Sequence, residues 1–138
     1  MTHPPQGLSS DTAYVSSSLA TIDGPVVLVG HSYGGAVITN AAASDPDDKA
    51  LDHIAGFIPA KGETVGDLAA KSSPRLPLVS TDVPGGTEVS IDPAHFREAF
   101  AGDVGRTTAA NLAAAQRPAN TDAVTDASVA EAYRSMPS

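Results

Sequence analysis

The sequence predicts an α/β protein built on a parallel βαβ unit, and three observations carry that reading. Val26-Val27-Leu28-Val29 is a short apolar, β-branched run without alternation, which is how a strand buried on both faces of a parallel sheet reads. A glycine-rich turn, Gly30 to Gly35, follows it directly and opens a stretch of small, helix-compatible residues at 36–44. A second apolar strand, 51–58, then ends at Pro59. Strand, helix and strand over this length make one βαβ unit.

The elements around that unit follow from local signals. A helix is expected over 9–22, with Ser10 as its cap, Asp11 at the positive end of the dipole, and Val15, Leu19 and Ile22 on one face. Asp23-Gly24-Pro25 breaks it. Asp45-Pro46 stops the helix after the glycine-rich turn. From residue 60 the character changes. A short helix is expected over 63–71, and 76–80 and 87–91 pair as a hairpin across Pro84-Gly85-Gly86. Asp92-Pro93 reads as a helix start, with Asp92 as N-cap and Phe96 and Phe100 on one face. The Ala- and Leu-rich stretch 107–116 is a helix stopped near Pro118, and 121–134 is weakly helical. The expected division is therefore 1–60, holding the βαβ unit, and 61–138, mostly helical.

Composition narrows the function. The chain has 138 residues, enough for one ordinary domain, and is 41% hydrophobic but only 4% aromatic, so its core rests on Ala, Val, Leu and Ile. Its formal net charge of −8 repels phosphate backbones and anionic membrane surfaces, so neither nucleic acid nor membrane is expected as a partner. The absence of cysteine excludes disulfides and thiolate metal sites and suits a cytoplasmic protein. The N-terminus has no basic and apolar regions of a signal peptide, and no apolar run is long enough to span a bilayer. The acidic residues Asp45, Asp47 and Asp48 read as a solvated helix end, since no histidine joins them at ligand spacing; no metal and no cofactor are expected.

The chemistry-bearing motif is Gly30-His31-Ser32-Tyr33-Gly34. Gly-x-Ser-x-Gly alone is a modest signal; between a buried strand and a helix it is a strong one, because the mechanism needs a serine on a sharp strand-to-helix turn. Gly30 and Gly34 let neighbouring backbone approach, the Ser32 hydroxyl is thrust outward, and the Tyr33 N–H and helix dipole point to where an oxyanion forms. An ordinary βα turn or a phosphate cradle is the alternative. The stretch fits neither Gly-x-Gly-x-x-Gly nor the Gly-Lys-Ser/Thr phosphate loop, so nucleotide binding has poor support.

From residue 25 to residue 38 the chain resembles the nucleophile elbow of α/β-hydrolase-fold enzymes. The stretch Ala55-Gly56-Phe57-Ile58-Pro59-Ala60-Lys61-Gly62-Glu63-Thr64 resembles the sixth strand and cap entrance of esterase-like members related to plant methylesterases and hydroxynitrile lyases. Asp92-Pro93-Ala94-His95-Phe96 and Ala115-Gln116-Arg117-Pro118 resemble cap segments of the same group. The resemblance runs from about residue 8 to the end. It implies a partial α/β-hydrolase core at 1–60 and a helical lid at 61–138. It also implies Ser32 as nucleophile, Tyr33 as an oxyanion donor through its N–H, Gly30, His31, Gly34 and Gly35 as the elbow, and a small ester as substrate. A lyase on the same scaffold is the alternative chemistry.

The acid and the histidine of a triad are not identified in the sequence. In this fold they follow the serine in the order acid, then histidine, after strands beyond the cap. The chain accordingly reads as the middle of such an enzyme, without the early strands, with two open sheet edges, and with little or no turnover by itself. A catalytically inactive fragment or pseudoenzyme is therefore a standing alternative. Among local histidines, His31 reads as packing behind the elbow, His53 as structural, His95 as a cap-helix residue, and His3 as part of a loose terminus. Asp82 reads as a hairpin residue and Asp92 as a helix cap. Oligomeric state is not legible.

Overall fold

The computed structural model describes residues 6–44, 48–72 and 75–138. The expectations for His3 and for Asp45, Pro46 and Asp47 lie outside these residues.

Helix α1 (Leu8–Leu19) leads to strand β1 (Val26–His31), helix α2 (Tyr33–Ala41) and strand β2 (Asp48–Ile54). Strands β1 and β2 pair in parallel, from Val26 beside Asp48 to His31 beside Ile54, so the expected βαβ unit is present. Helix α2 is buried over Gly35–Ala41 because it lies between α1 and the sheet, and its Ala and Gly residues allow that close approach. Leu19, Leu28, Ile38, Ala41 and Leu51 form one core cluster; Leu8, Ala36, Val37 and Val65 form another.

Four expectations here are corrected. Strand β1 is not buried on both faces: Leu28 and Gly30 face the core, whereas Val27 and Val29 are 61% and 56% exposed, and Ile54 on β2 is 53% exposed. The second strand ends at Ile54 instead of residue 58, because Ala55 takes a φ of +44° and turns the chain under the elbow. Helix α1 ends at Leu19, three residues before Ile22, which is solvent-exposed. The Ser10 hydroxyl does not cap α1 but donates to the Gly7 carbonyl at 3.0 Å.

Beyond residue 60 come α3 (Val65–Ala70), β3 (Leu78–Val83), β4 (Gly86–Ile91), α4 (Phe96–Phe100), α5 (Arg106–Ala114), β5 (Ala119–Asn120) and α6 (Asp122–Thr125). Thr64 and Asp67 form a reciprocal capping box at the start of α3. The expected hairpin is β3–β4, with Val83 beside Gly86 across Pro84-Gly85; Gly85 supplies the positive φ of +105° that such a turn needs. Strand β5 adds a third, unexpected strand, pairing Ala119 with Val89. The expected helix start at Asp92-Pro93 is a turn instead. Asp92 accepts the Ala94 N–H at 2.9 Å, and α4 begins only at Phe96. The weakly helical 121–134 resolves into α6 and a single helical turn, Ala132–Arg134.

The end of the chain returns to the first core. Ala132 is buried in it with Tyr133 and Met136 packed alongside, and the Pro137 carbonyl accepts the Leu51 N–H at 2.9 Å.

Candidate active site at the β1–α2 turn

Strand β1 runs straight into α2 with a single residue, Ser32, between them. Its backbone has φ +54° and ψ −123°, a strained conformation that side-chain-bearing residues rarely adopt. The turn is held from three sides. Ser32 N–H donates to the Ile54 carbonyl at 3.3 Å, and the Ser32 carbonyl accepts the N–H groups of Gly35 and Phe57, both at 3.0 Å. The chain reversal at Ala55 therefore serves the elbow, because it brings Phe57 N–H beneath Ser32.

The glycines are not equivalent. A Cβ on Gly30 would lie 2.6 Å from the Gly34 carbonyl oxygen, and one on Gly35 would lie 2.7 Å from the Phe57 carbonyl oxygen. Both positions are closed to any larger residue. A Cβ on Gly34 would meet nothing within 4 Å.

Tyr33 occupies the first helical position of α2, where an N–H has no acceptor within its own helix. Its phenol points the other way and donates to Asp11 Oδ2 at 2.8 Å. Asp11, expected as a partner of the helix dipole, is fully buried and also accepts the Gln6 N–H. Burial, then the Asp11 hydrogen bond, then the negative charges of Asp11 and Asp126 push the Tyr33 phenol well above its ordinary range. It stays protonated and a donor.

Ser32 and Tyr33 line a cleft of about 690 Å³ between the elbow and the later elements. Phe57, Val65, Leu78, Ile91, Phe100 and Val124 give it apolar walls. A second depression, of about 520 Å³ and lined by Ala55, Gly56 and Ile58 among others, does not include Ser32.

The histidines are placed elsewhere. His31 is exposed at the end of β1, its ring edge-on to Phe100 with centroids 6.2 Å apart; it packs against α4 and not into the core behind the turn. His53 lies beneath α2, 3.1 Å from Thr39 Oγ1. The Thr39 hydroxyl is committed to the Gly35 carbonyl at 2.8 Å, so the network assigns the proton to His53 Nε2 as donor. His95 pairs its Nδ1 with Asp92 Oδ2 at 3.0 Å. Asp82 accepts the Thr87 hydroxyl across the hairpin. Among the described residues no imidazole hydrogen-bonds the Ser32 hydroxyl, and no acid joins it. Nor, among them, is any group of three His, Asp or Glu residues disposed to hold a metal, and no helix is long and apolar enough to cross a membrane.

One buried node was not legible in the sequence. Asn40 Oδ1 accepts the N–H groups of Val129 and Ala130 at 2.9 and 3.1 Å, and its Nδ2 donates to the Ala36 carbonyl at 2.8 Å. Ser128, 2% exposed, closes the node through its hydroxyl. It anchors the segment after α6 to α2, the helix that follows Ser32. An asparagine in the last turn of an otherwise small and apolar helix was its one signal.

The turn, the helix behind it and the parallel pair have counterparts in known proteins. A pyrethroid hydrolase from Sphingobium faniae JZ-2 superposes with a TM-score of 0.64 at 22% identity, over 91% of this chain and 53% of that one. The pyrethroid hydrolase PytH with BIF superposes with a TM-score of 0.63 at 23% identity, over 88% and 52%. These likenesses show a shared fold, and the chain spans about half the length of the structures it matches. No curated protein matches the sequence. The model of the alpha/beta hydrolase family matches residues 2–138, nearly the whole chain. A serine held between a parallel strand and a buried helix, in a chain matched over that extent, makes this a member of the α/β hydrolase family.

Proposed function

We propose that the chain provides the nucleophile and acyl pocket of a serine hydrolase acting on a small, partly apolar carboxylic ester. The observation that carries this reading is the Ser32 backbone, at φ +54° on a strand-to-helix turn, opening on the apolar cleft. In this reading Ser32 Oγ attacks the ester carbonyl carbon and its proton passes to a base. The Tyr33 N–H and the α2 dipole stabilise the oxyanion, and the alcohol departs to leave an acyl-enzyme. Water then attacks the acyl carbon and frees the acid and Ser32. Residues 61–138 act as the lid that forms the far wall of the cleft. The chemistry calls for no metal and no cofactor.

A second reading, a binding protein that keeps the pocket without turnover, has one observation in its favour: His31, His53 and His95 are all engaged away from Ser32. Pre-steady-state hydrolysis of para-nitrophenyl butyrate separates the two. A burst of para-nitrophenol stoichiometric with protein, absent in Ser32→Ala, supports the hydrolase reading. Release at the rate of buffer alone from folded protein supports the binding protein.

A further inference from the structure

The charged side chains of the cleft are distributed unlike those of the chain. The sequence holds 16 acidic and 8 basic residues, yet among the described residues no Asp or Glu lines the cleft, and the two charged ones that do are Arg75 and Arg117. Among the described residues neither guanidinium has an ion-pair or hydrogen-bond partner. Around them stand Leu76, Leu78 and Phe100, each 48–53% exposed and so still open to an apolar ligand.

The backbone of Arg117 is fixed on both sides. The side chain of Gln116 acts as a strand rung: its Oε1 accepts the Ile91 N–H and its Nε2 donates to the Ile91 carbonyl, each at 2.9 Å. Ala119 then joins the ladder beside Val89. Arg75 enters from the other edge of the same sheet, two residues before Pro77, whose carbonyl accepts the Asp92 N–H at 2.8 Å. The two arginines thus enter the cleft lining from opposite edges of the β3–β4–β5 sheet, both exposed and, among the described residues, committed to no acid.

We propose that this cleft selects an ester carrying an anionic group at the end of an apolar chain, a dicarboxylic acid hemiester in its simplest form, with Arg75 and Arg117 pairing the anion. The proposal rests on the reading of Ser32 as the nucleophile for its orientation, but binding does not require turnover. In a chain of net charge −8 a generic surface repels such a ligand, so selectivity for it has to come from local cations.

The test is calorimetric titration of the Ser32→Ala chain with mono-para-nitrophenyl glutarate and with its neutral methyl ester. The expected result is binding of the anionic ester about tenfold tighter at low ionic strength, the sum of two exposed ion pairs. The preference shrinks toward unity in 1 M salt, where the Debye length is about 3 Å. It is lost when Arg75→Gln and Arg117→Gln are added, and kept in a Lys61→Gln control that removes one positive charge outside the cleft. Equal or tighter binding of the neutral ester, binding of neither, or a preference that survives loss of both arginines overturns the proposal. Because Ser32 is absent from the titrated chain, failure here is distinct from failure of the nucleophile reading, which the ester burst measures.

Discussion

The phenol of Tyr33 reaches back from the first residue of α2 to donate a 2.8 Å hydrogen bond to the buried Asp11 of α1. One residue thereby offers its backbone N–H beside Ser32 while its side chain bolts the elbow to the preceding helix. Tyr33→Phe should lower stability by about 1.5–3 kcal/mol, the range for a hydrogen bond to a charged group, in urea unfolding at neutral pH. The pH dependence has a definite sign. The folded phenol is raised above its ordinary value of 10.0, so its contribution is complete below pH 10 and declines as pH rises beyond it. Wild-type stability should fall toward that of Tyr33→Phe above pH 10, and a constant difference would contradict the assignment.

The elbow glycines should respond in opposite directions. Gly30→Ala forces a Cβ to 2.6 Å from the Gly34 carbonyl and should cost about 1–3 kcal/mol or prevent folding. Gly34→Ala meets nothing within 4 Å and sits inside α2, so it should stabilise by about 0.4–1 kcal/mol. Thermal unfolding of the two variants side by side checks both.

Asn40 links α2 to the segment 128–130. Asn40→Ala leaves the Val129 and Ala130 N–H groups without their acceptor and should cost about 3 kcal/mol, whereas Ser128→Ala should cost about 1 kcal/mol. The two side chains share a network, so the double variant should lose less than the sum of the singles. Urea midpoints of all three decide the matter.

The capping box of α3 gives an acid-side signature. The Thr64 N–H bond, reinforced by the Thr64 hydroxyl, holds the Asp67 carboxyl below its ordinary value of 3.8. Its contribution is therefore complete above that value and lost as pH falls through the lowered one. The stability difference between wild type and Asp67→Asn should be flat from pH 7 to about pH 5 and shrink below about pH 4.

What was legible in the sequence was local. The strand, Ser32 turn and helix declare themselves within residues 26–41, and Pro84-Gly85-Gly86 announces its hairpin. What was not legible depends on partners distant in the chain. Val26-Val27-Leu28-Val29 reads the same whether one face or both are covered, and only the sheet's neighbours decide that Val27 and Val29 stay open. Asp11 read as a helix-start acid serving the dipole, because its partner Tyr33 lies beyond a break and a strand. Asp92-Pro93 carries helix-start chemistry, but Asp92 spends it on a turn, through Ala94 N–H and His95, before α4 begins. The candidate turn at Ser32 was legible, while the Gln116 rung and Arg117 depend on how β4 and β5 meet, and Arg75 on where the chain enters β3.

The central claim is that Ser32 is the reactive nucleophile of this chain, and phosphonylation mapped by peptide mass spectrometry tests it most directly. Elbow geometry and an oxyanion donor retain about 10³–10⁴ of rate in triad enzymes stripped of their triad. A fluorophosphonate should therefore modify Ser32 well ahead of every other serine, faster with added imidazole as base, and Ser32→Ala should abolish that adduct. Modification spread evenly over the serines, or none at Ser32 in folded protein with imidazole present, would contradict it.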